Sequence, residues 1–248
     1  MATLHPFRAL RPDAASAPRI AAVPYDVVST DEARTLADGN PLSFLHVSRA
    51  EIDLPAGTDP YADAVYQKAA DTFAALRQKA LMVEGEASVY LYRLQMGSHV
   101  QTGLAACFSL DEYDRDIIKK HERTRRDKED DRTKHMLALG AQTGPVFLTY
   151  RAAAEVDRIA ATVTTGEPII DFTAPDEVRH TLWRVGGANR DALVAAVKEI
   201  PALYIADGHH RAARADRRRL PDLPRDRSRR SPVPRGDVGG ADLRFPRG

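Results

Sequence analysis

The stretch Ala202-Leu203-Tyr204-Ile205-Ala206-Asp207-Gly208-His209-His210-Arg211 restricts the architecture most. Leu203, Tyr204 and Ile205 form a compact apolar run of strand-favouring types. Asp207-Gly208 is a turn signal, because glycine supplies backbone shapes that other residues resist. Ala212, Ala213 and Ala215 then favour helix. A buried strand, a tight turn and a helix start commit this part of the chain to α/β architecture. His209, His210 and Arg211 fall at the helix start, where free backbone N–H groups gather and an anion fits. The planar donor fork of Arg211 makes a phosphate or carboxylate the natural guest. The plainer alternative is an N-capping Asp207 in front of a solvated helix start. Two histidines and an arginine directly behind a strand shift the balance toward a site.

The 248 residues have room for one large domain or two small ones. Residues 216–248 carry ten Arg and five Asp, which leaves 1–215 with a net charge of about −4 against +1 for the whole chain. That acidic balance argues against a nucleic-acid groove built on phosphate neutralisation in 1–215. With Cys107 as the single cysteine, no intramolecular disulfide can form, and a reducing compartment is the simpler assumption. No secretory leader and no apolar run of membrane-spanning length is visible. The expectation is a soluble cytoplasmic protein with no membrane partner.

Four prolines within residues 1–30 disfavour helix, and Arg19–Val23 reads as a short strand. Pro24-Tyr25-Asp26-Val27-Val28 follows its end, and Asp26 is either a site carboxylate or a turn cap. Ser29 or Thr30 caps a helix that Gly39 ends. Ser43–Val47 reads as a strand with His46 in it. Asp59-Pro60 opens a helix whose face carries Val65, Ala69, Phe73, Leu76 and Ala80. Ala87–Gln95 and Gln101–Leu110 read as paired strands across Gly97-Ser98. Ile117–Arg132 is a highly charged stretch, read as a helix with Glu122–Arg126, Arg125–Glu129 and Asp130–Lys134 pairs on a solvated face. Its functional alternative uses His121 and Glu122 for acid–base or metal chemistry, with Lys128, Glu129 and Arg132 contacting phosphate or placing a carboxylate. Pro145–Tyr150, Pro168–Phe172 and His180–Val185 read as strands, and Ala153–Val163 and Asp191–Ile200 as helices. Residues 216–248 are Arg-, Pro-, Asp- and Gly-rich, a composition expected to stay disordered.

Taken in order, these pieces resemble the domain of unknown function 1015. The matching segments are Pro24–Val28, Asn40–Val47, Lys119–Thr124, Lys128–Arg132, Gly144–Tyr150 and Tyr204–Arg211. The resemblance spans about Pro6 to Ala213 and divides the chain into a family domain, 1–215, and an Arg/Pro-rich tail, 216–248. Members of the family continue with folded sequence beyond the Asp-Gly-His-His-Arg motif, whereas this chain changes character at once. The resemblance therefore implies a C-terminal part that is missing or read out of frame after about residue 213, and with it an incomplete, inactive copy as one outcome.

The fold implied is mixed α/β, with mixed or antiparallel sheets and flanking helices. The Asp207–Arg211 motif is similar to one in the ParB/sulfiredoxin-like group, which includes free-serine kinases. By that analogy the chain is a nucleotide-dependent phosphotransferase for a small hydroxyl substrate, using Mg2+ with ADP, ATP or CTP. Asp207, Gly208, His209, His210, Arg211, Lys128 and Arg132 would hold phosphate, with Glu122, His121 and Asp26 as catalytic candidates. A ParB-like nucleotide-binding regulatory module without catalysis is the alternative. A metal hydrolase using His46, His121, His209 and His210 ranks below both, because adjacent histidines on a helix diverge by about 100°.

Overall fold

The computed structural model describes residues 1–122, 126–214 and 237–244, with backbone alone for 126–128, 213–214 and 237–244. In chain order the elements are β1 (Leu4–His5), β2 (Leu10–Pro12), α1 (Ala17–Ile20), α2 (Thr30–Ala37), α3 (Leu45–Ser48), a 3-10 turn (Ala50–Asp53), α4 (Asp63–Lys79) and β3 (Leu81–Val83). They continue with β4 (Val89–Met96), β5 (His99–Ser109), α5 (Leu110–Asp114), β6 (Ile118–Lys119), α6 (Arg126–Leu139), β7 (Phe147–Thr149) and α7 (Ala154–Val163). The last are β8 (Ile170–Thr173), β9 (Arg179–Val185), α8 (Gly187–Lys198), β10 (Leu203–Asp207), α9 (His209–Arg214) and β11 (Asp237–Arg244). The fold is mixed α/β, as expected.

One large sheet runs β6-β10-β7-β11-β5-β4-β9-β8, and β1 adds to β5. Only the β10–β6 and β11–β7 pairs are parallel; the others in this sheet are antiparallel. The β4–β5 hairpin turns at Gly97, whose φ of +57° suits a residue without Cβ. Side chains alternate between the faces. Val89, Leu91, Trp183 and Val185 join Val156 and Ile159 of α7 and Leu193 and Val197 of α8 in the main core. Tyr92, His180 and Leu182 point the other way, into an apolar cavity of about 700 Å3 shared with Phe44 and Phe73. That cavity separates the sheet from a helical layer in which α4 buries Val65, Ala69, Phe73 and Leu76, the face read from its spacing.

His180 sits in this cavity wall, stacked between Phe172 and Tyr92. The Tyr92 hydroxyl meets its Nδ1 at 2.5 Å. Burial is the main cause that holds His180 below its ordinary 6.5 and pushes Tyr92 up to about 12. The folded state therefore prefers neutral His180, and the unfolded chain takes the proton first as pH falls. Stability is expected to decline from about pH 7 toward pH 5, and His180→Gln to flatten that decline. Urea titrations at several pH values check this; an unchanged slope in the variant would rule His180 out as a source.

Several local expectations give way to tertiary packing. Arg19–Val23 is not a strand: α1 covers Ala17–Ile20, initiated by the Asp13 carboxylate accepting from the Ser16 N–H at 2.7 Å. Pro18 is tolerated because the first turn leaves its missing N–H without cost. Ser43–Val47 is not a strand either; α3 places Leu45 and Val47 in two different apolar clusters. The helix expected from Asp59 begins at Asp63, because Asp59 is occupied as a turn residue accepting from the Tyr61 N–H. That expected from Asp191 begins at Gly187. The charged stretch is not one helix: Ile118–Lys119 is a strand beside β10, and α6 starts at Arg126. Its expected Glu122–Arg126 and Arg125–Glu129 pairs fall outside the described side chains. Lys134 is 4.0 Å from Asp63 and lies over the Tyr66 ring. Nor is the face simply solvated, since Glu129, Asp131 and His135 are buried. Within the expected tail, Asp237–Arg244 forms β11 between β5 and β7, so these eight residues are not without structure. The rest of 216–248 lies outside the described residues.

Candidate functional site

The site is positioned by the turn from β10 into α9. Leu203 and Ile205 are buried and anchor the strand. Gly208, at φ +88°, swings the chain off the sheet. Arg211 then folds back over that turn. A Cβ on Gly208 would lie 2.8 Å from Arg211 Nε, and one on Gly144, at the entry to β7, 3.0 Å from its Cδ. The side chain thus occupies the space left by two glycines, and an ion pair with Asp207 holds its guanidinium.

α6 packs against both α4 and α9 and carries Arg132 to the same region. The Arg132 guanidinium lies 3.8 Å from the centroid of the Tyr25 ring, a cation–π contact. Its Nε donates to Asp131 Oδ2 at 2.8 Å, and the Tyr66 hydroxyl donates to the other oxygen of Asp131 at 2.8 Å. His135, one turn on, meets the Val47 carbonyl through Nε2 at 2.9 Å.

Two adjoining cavities open around these groups. One, of about 410 Å3, is lined by Tyr25, Asp26, Arg49, Glu51, Arg132 and His210 among others. The other, of about 450 Å3, is lined by Arg132, Arg211, Gln142, Gly144 and Met136 among others. Tyr25, Ser48, Arg132 and His135 line both, so the two form a continuous cleft between the Pro24–Val28 loop, α3, α6 and the α9 turn. His210 Nδ1 is buried with no hydrogen-bond partner among the described residues.

The residues singled out in the sequence thus divide into two groups. Asp26, Arg132, His210 and Arg211 line the cleft, and Gly208 and Asp207 shape and hold Arg211. His121, Glu122 and His209 line neither cavity and cluster with one another instead. The Lys128 side chain lies outside the described residues. His46 pairs with Asp53 at 2.8 Å and with the Asn40 carbonyl at 3.2 Å, apart from the other histidines. Burial is the main cause that holds His209 below its ordinary value; Glu122 opposes this and His121 adds to it.

Arg49, Glu51, Asp131 and His135 escaped the sequence reading. Arg49 pairs with Glu51 at 3.0 Å and donates to the Thr30 hydroxyl at 3.0 Å. A signal existed for two of them: Asp131 and His135 are four apart, hence on one helical face, and Leu139 continues that row. Nothing local marks Arg49 and Glu51.

Chemically, the cleft offers three guanidinium groups, Arg49, Arg132 and Arg211, and three imidazoles, His135, His180 and His210, around an exposed carboxylate, Asp26. Such a set receives an anion with several oxygens and leaves one carboxylate for a hydroxyl or a hard cation. No helix among the described residues is long and apolar enough to cross a membrane. Neither a curated protein nor a solved structure matches the chain. The family model described as "Protein of unknown function (DUF1015)" matches residues 4–229. The matched region runs past Ala213, where the sequence resemblance was expected to stop, and takes in the start of the Arg-rich stretch. With a match covering most of its length, the chain belongs to the DUF1015 family.

Proposed function

We propose that this protein is a nucleotide-dependent phosphotransferase acting on a small hydroxyl-bearing substrate such as serine, working in the cytoplasm. One observation carries the reading: Arg132 faces both halves of a cleft that also presents Arg211, His210 and Asp26. Phosphoryl transfer asks the protein mainly for positioned cations and a group that orients the nucleophile. Arg132 and Arg211 supply the first, each as a planar fork matched to phosphate oxygens. Asp26 supplies the second by accepting the hydroxyl proton. It also fits magnesium, which takes one or two carboxylates beside substrate phosphates. Glu122 and His121 lie outside the cleft cavities and have no part in this scheme. The kinship with ParB/sulfiredoxin-like kinases is part of the proposal and rests on the Asp207–Arg211 motif.

The test is thermal unfolding with ADP, ATP or CTP and Mg2+. A nucleotide at about a hundredfold its Kd stabilises by about 2.7 kcal/mol, a clear rise in Tm. The rise is expected in the parent and lost in Arg132→Ala and Arg211→Ala, with phosphoserine formation from serine followed by phosphorus NMR. Absence of a shift with all three nucleotides would overturn the reading.

A further inference from the structure

The parallel pairing of β6 with β10 has a second consequence. Leu203 sits opposite Ile118 and Tyr204 opposite Lys119, so both strands run the same way and end on the same side. The residues just beyond those ends are therefore neighbours: His121 and Glu122 after β6, His209 after β10. Glu122 approaches both rings, with Oε2 at 3.4 Å from His209 Nδ1 and Oε1 at 3.8 Å from His121 Nε2. The imidazoles meet edge to face with centroids 4.4 Å apart. One ligand atom from each of the three residues lies within 4.8 Å of the others.

These separations are close to those a metal requires. With ligand bonds of about 2.0–2.2 Å, donors around a tetrahedral ion are about 3.3–3.5 Å apart. Glu122 Oε2 is already at such a distance from His209 Nδ1, 3.4 Å; its other oxygen, Oε1, is slightly wide of His121 Nε2 at 3.8 Å, and with one donor atom from each residue all three lie within 4.8 Å of one another. The Glu122–His121 separation is also long for a charge-assisted hydrogen bond, whose usual length is about 2.7–2.9 Å. His209 is 5% exposed, whereas the His121 and Glu122 side chains are 60% and 63% exposed. Two exposed donors can turn toward one buried donor by rotation of their side chains. Among the described residues His209 Nε2 is buried without a hydrogen-bond partner, where a structural histidine usually has one.

We propose that His121, Glu122 and His209 form a site for a divalent first-row transition ion of the zinc class, with a fourth position open to water or substrate. Two imidazoles and a carboxylate favour such an ion over magnesium or calcium, which take oxygen donors. Three protein ligands with an open position are the pattern of catalytic rather than structural zinc sites. His210 faces the cleft and is not a ligand, consistent with the divergence of adjacent histidines on a helix.

The site is tested without nucleotide, so its fate and that of the phosphotransferase reading are separate. Metal-free full-length protein is titrated with Zn2+ against a chromophoric chelator, and with Co2+ read by its visible absorption. One equivalent is expected to bind, with Co2+ bands of low-symmetry, four- or five-coordinate intensity. His121→Ala and Glu122→Gln, at exposed positions where folding is preserved, are expected to weaken binding at least tenfold and erase those bands. His209→Ala should do the same, and His46→Ala should change nothing. Absence of stoichiometric binding, or binding that survives both exposed substitutions, overturns the site. Preference for Mg2+ over Zn2+ overturns its class.

Discussion

Asp131→Ala is expected to destabilise the protein by about 3–5 kcal/mol, the cost of leaving a buried charge without its partner. Asp131 is 7% exposed and serves two donors, Arg132 Nε and the Tyr66 hydroxyl. Removing it leaves the Arg132 guanidinium, whose side chain is 18% exposed, without its carboxylate and with the Tyr25 face beside it. The Tyr66 hydroxyl, itself buried between α4 and α6, loses its acceptor at the same time. Asp131→Asn should cost less, since an amide oxygen still accepts from one donor. Urea unfolding reads both variants as a lower midpoint at unchanged m. A loss below about 1 kcal/mol for the alanine variant would mean that water reaches this pair in solution, as at surface ion pairs.

Gly208→Ala carries the second large effect because two penalties fall on one atom. The backbone at φ +88° is a shape that side chains with Cβ resist, worth about 1–3 kcal/mol. The new Cβ would also lie 2.8 Å from Arg211 Nε, so the guanidinium must leave its place over the turn. Gly144→Ala meets Arg211 Cδ at 3.0 Å without a positive φ, and is expected to cost less. A double-mutant cycle with Arg211→Ala separates the two penalties: the steric part disappears and the backbone part stays. The nucleotide-induced rise in Tm should fall in Gly208→Ala in proportion to the displacement of Arg211. A variant as stable as the parent would show that the turn relaxes, and Arg211 would then need no glycine beneath it.

The turn itself was visible in the sequence because each part of it is local. Apolar strand residues, Asp-Gly and an alanine-rich helix start are read within a dozen positions, and β10, Gly208 and α9 occur where they were expected. The β4–β5 hairpin and the buried face of α4 were legible for the same reason, a period carried by adjacent residues. The strand expected at Ser43–Val47 failed because Leu45 and Val47 serve two separate apolar clusters, which a strand propensity cannot express. The α6 face failed differently. Its acidic and basic residues look solvated in isolation, whereas Tyr66 and the Val47 carbonyl, far off in the chain, supply partners that offset the burial of Asp131 and His135.

From its sequence alone, this protein's family resemblance, its mixed α/β class and the identity of the Asp207–Arg211 turn could be determined, since periodicity and turn chemistry are properties of neighbouring residues. How the candidate residues divide was decided only by tertiary structure. The parallel alignment of β6 with β10 takes His121 and Glu122 to His209, and the packing of α6 takes Arg132 to the cleft with His210 and Arg211. Two adjacent histidines point into different surroundings because successive helical side chains diverge, and what each meets is set by segments remote in the chain.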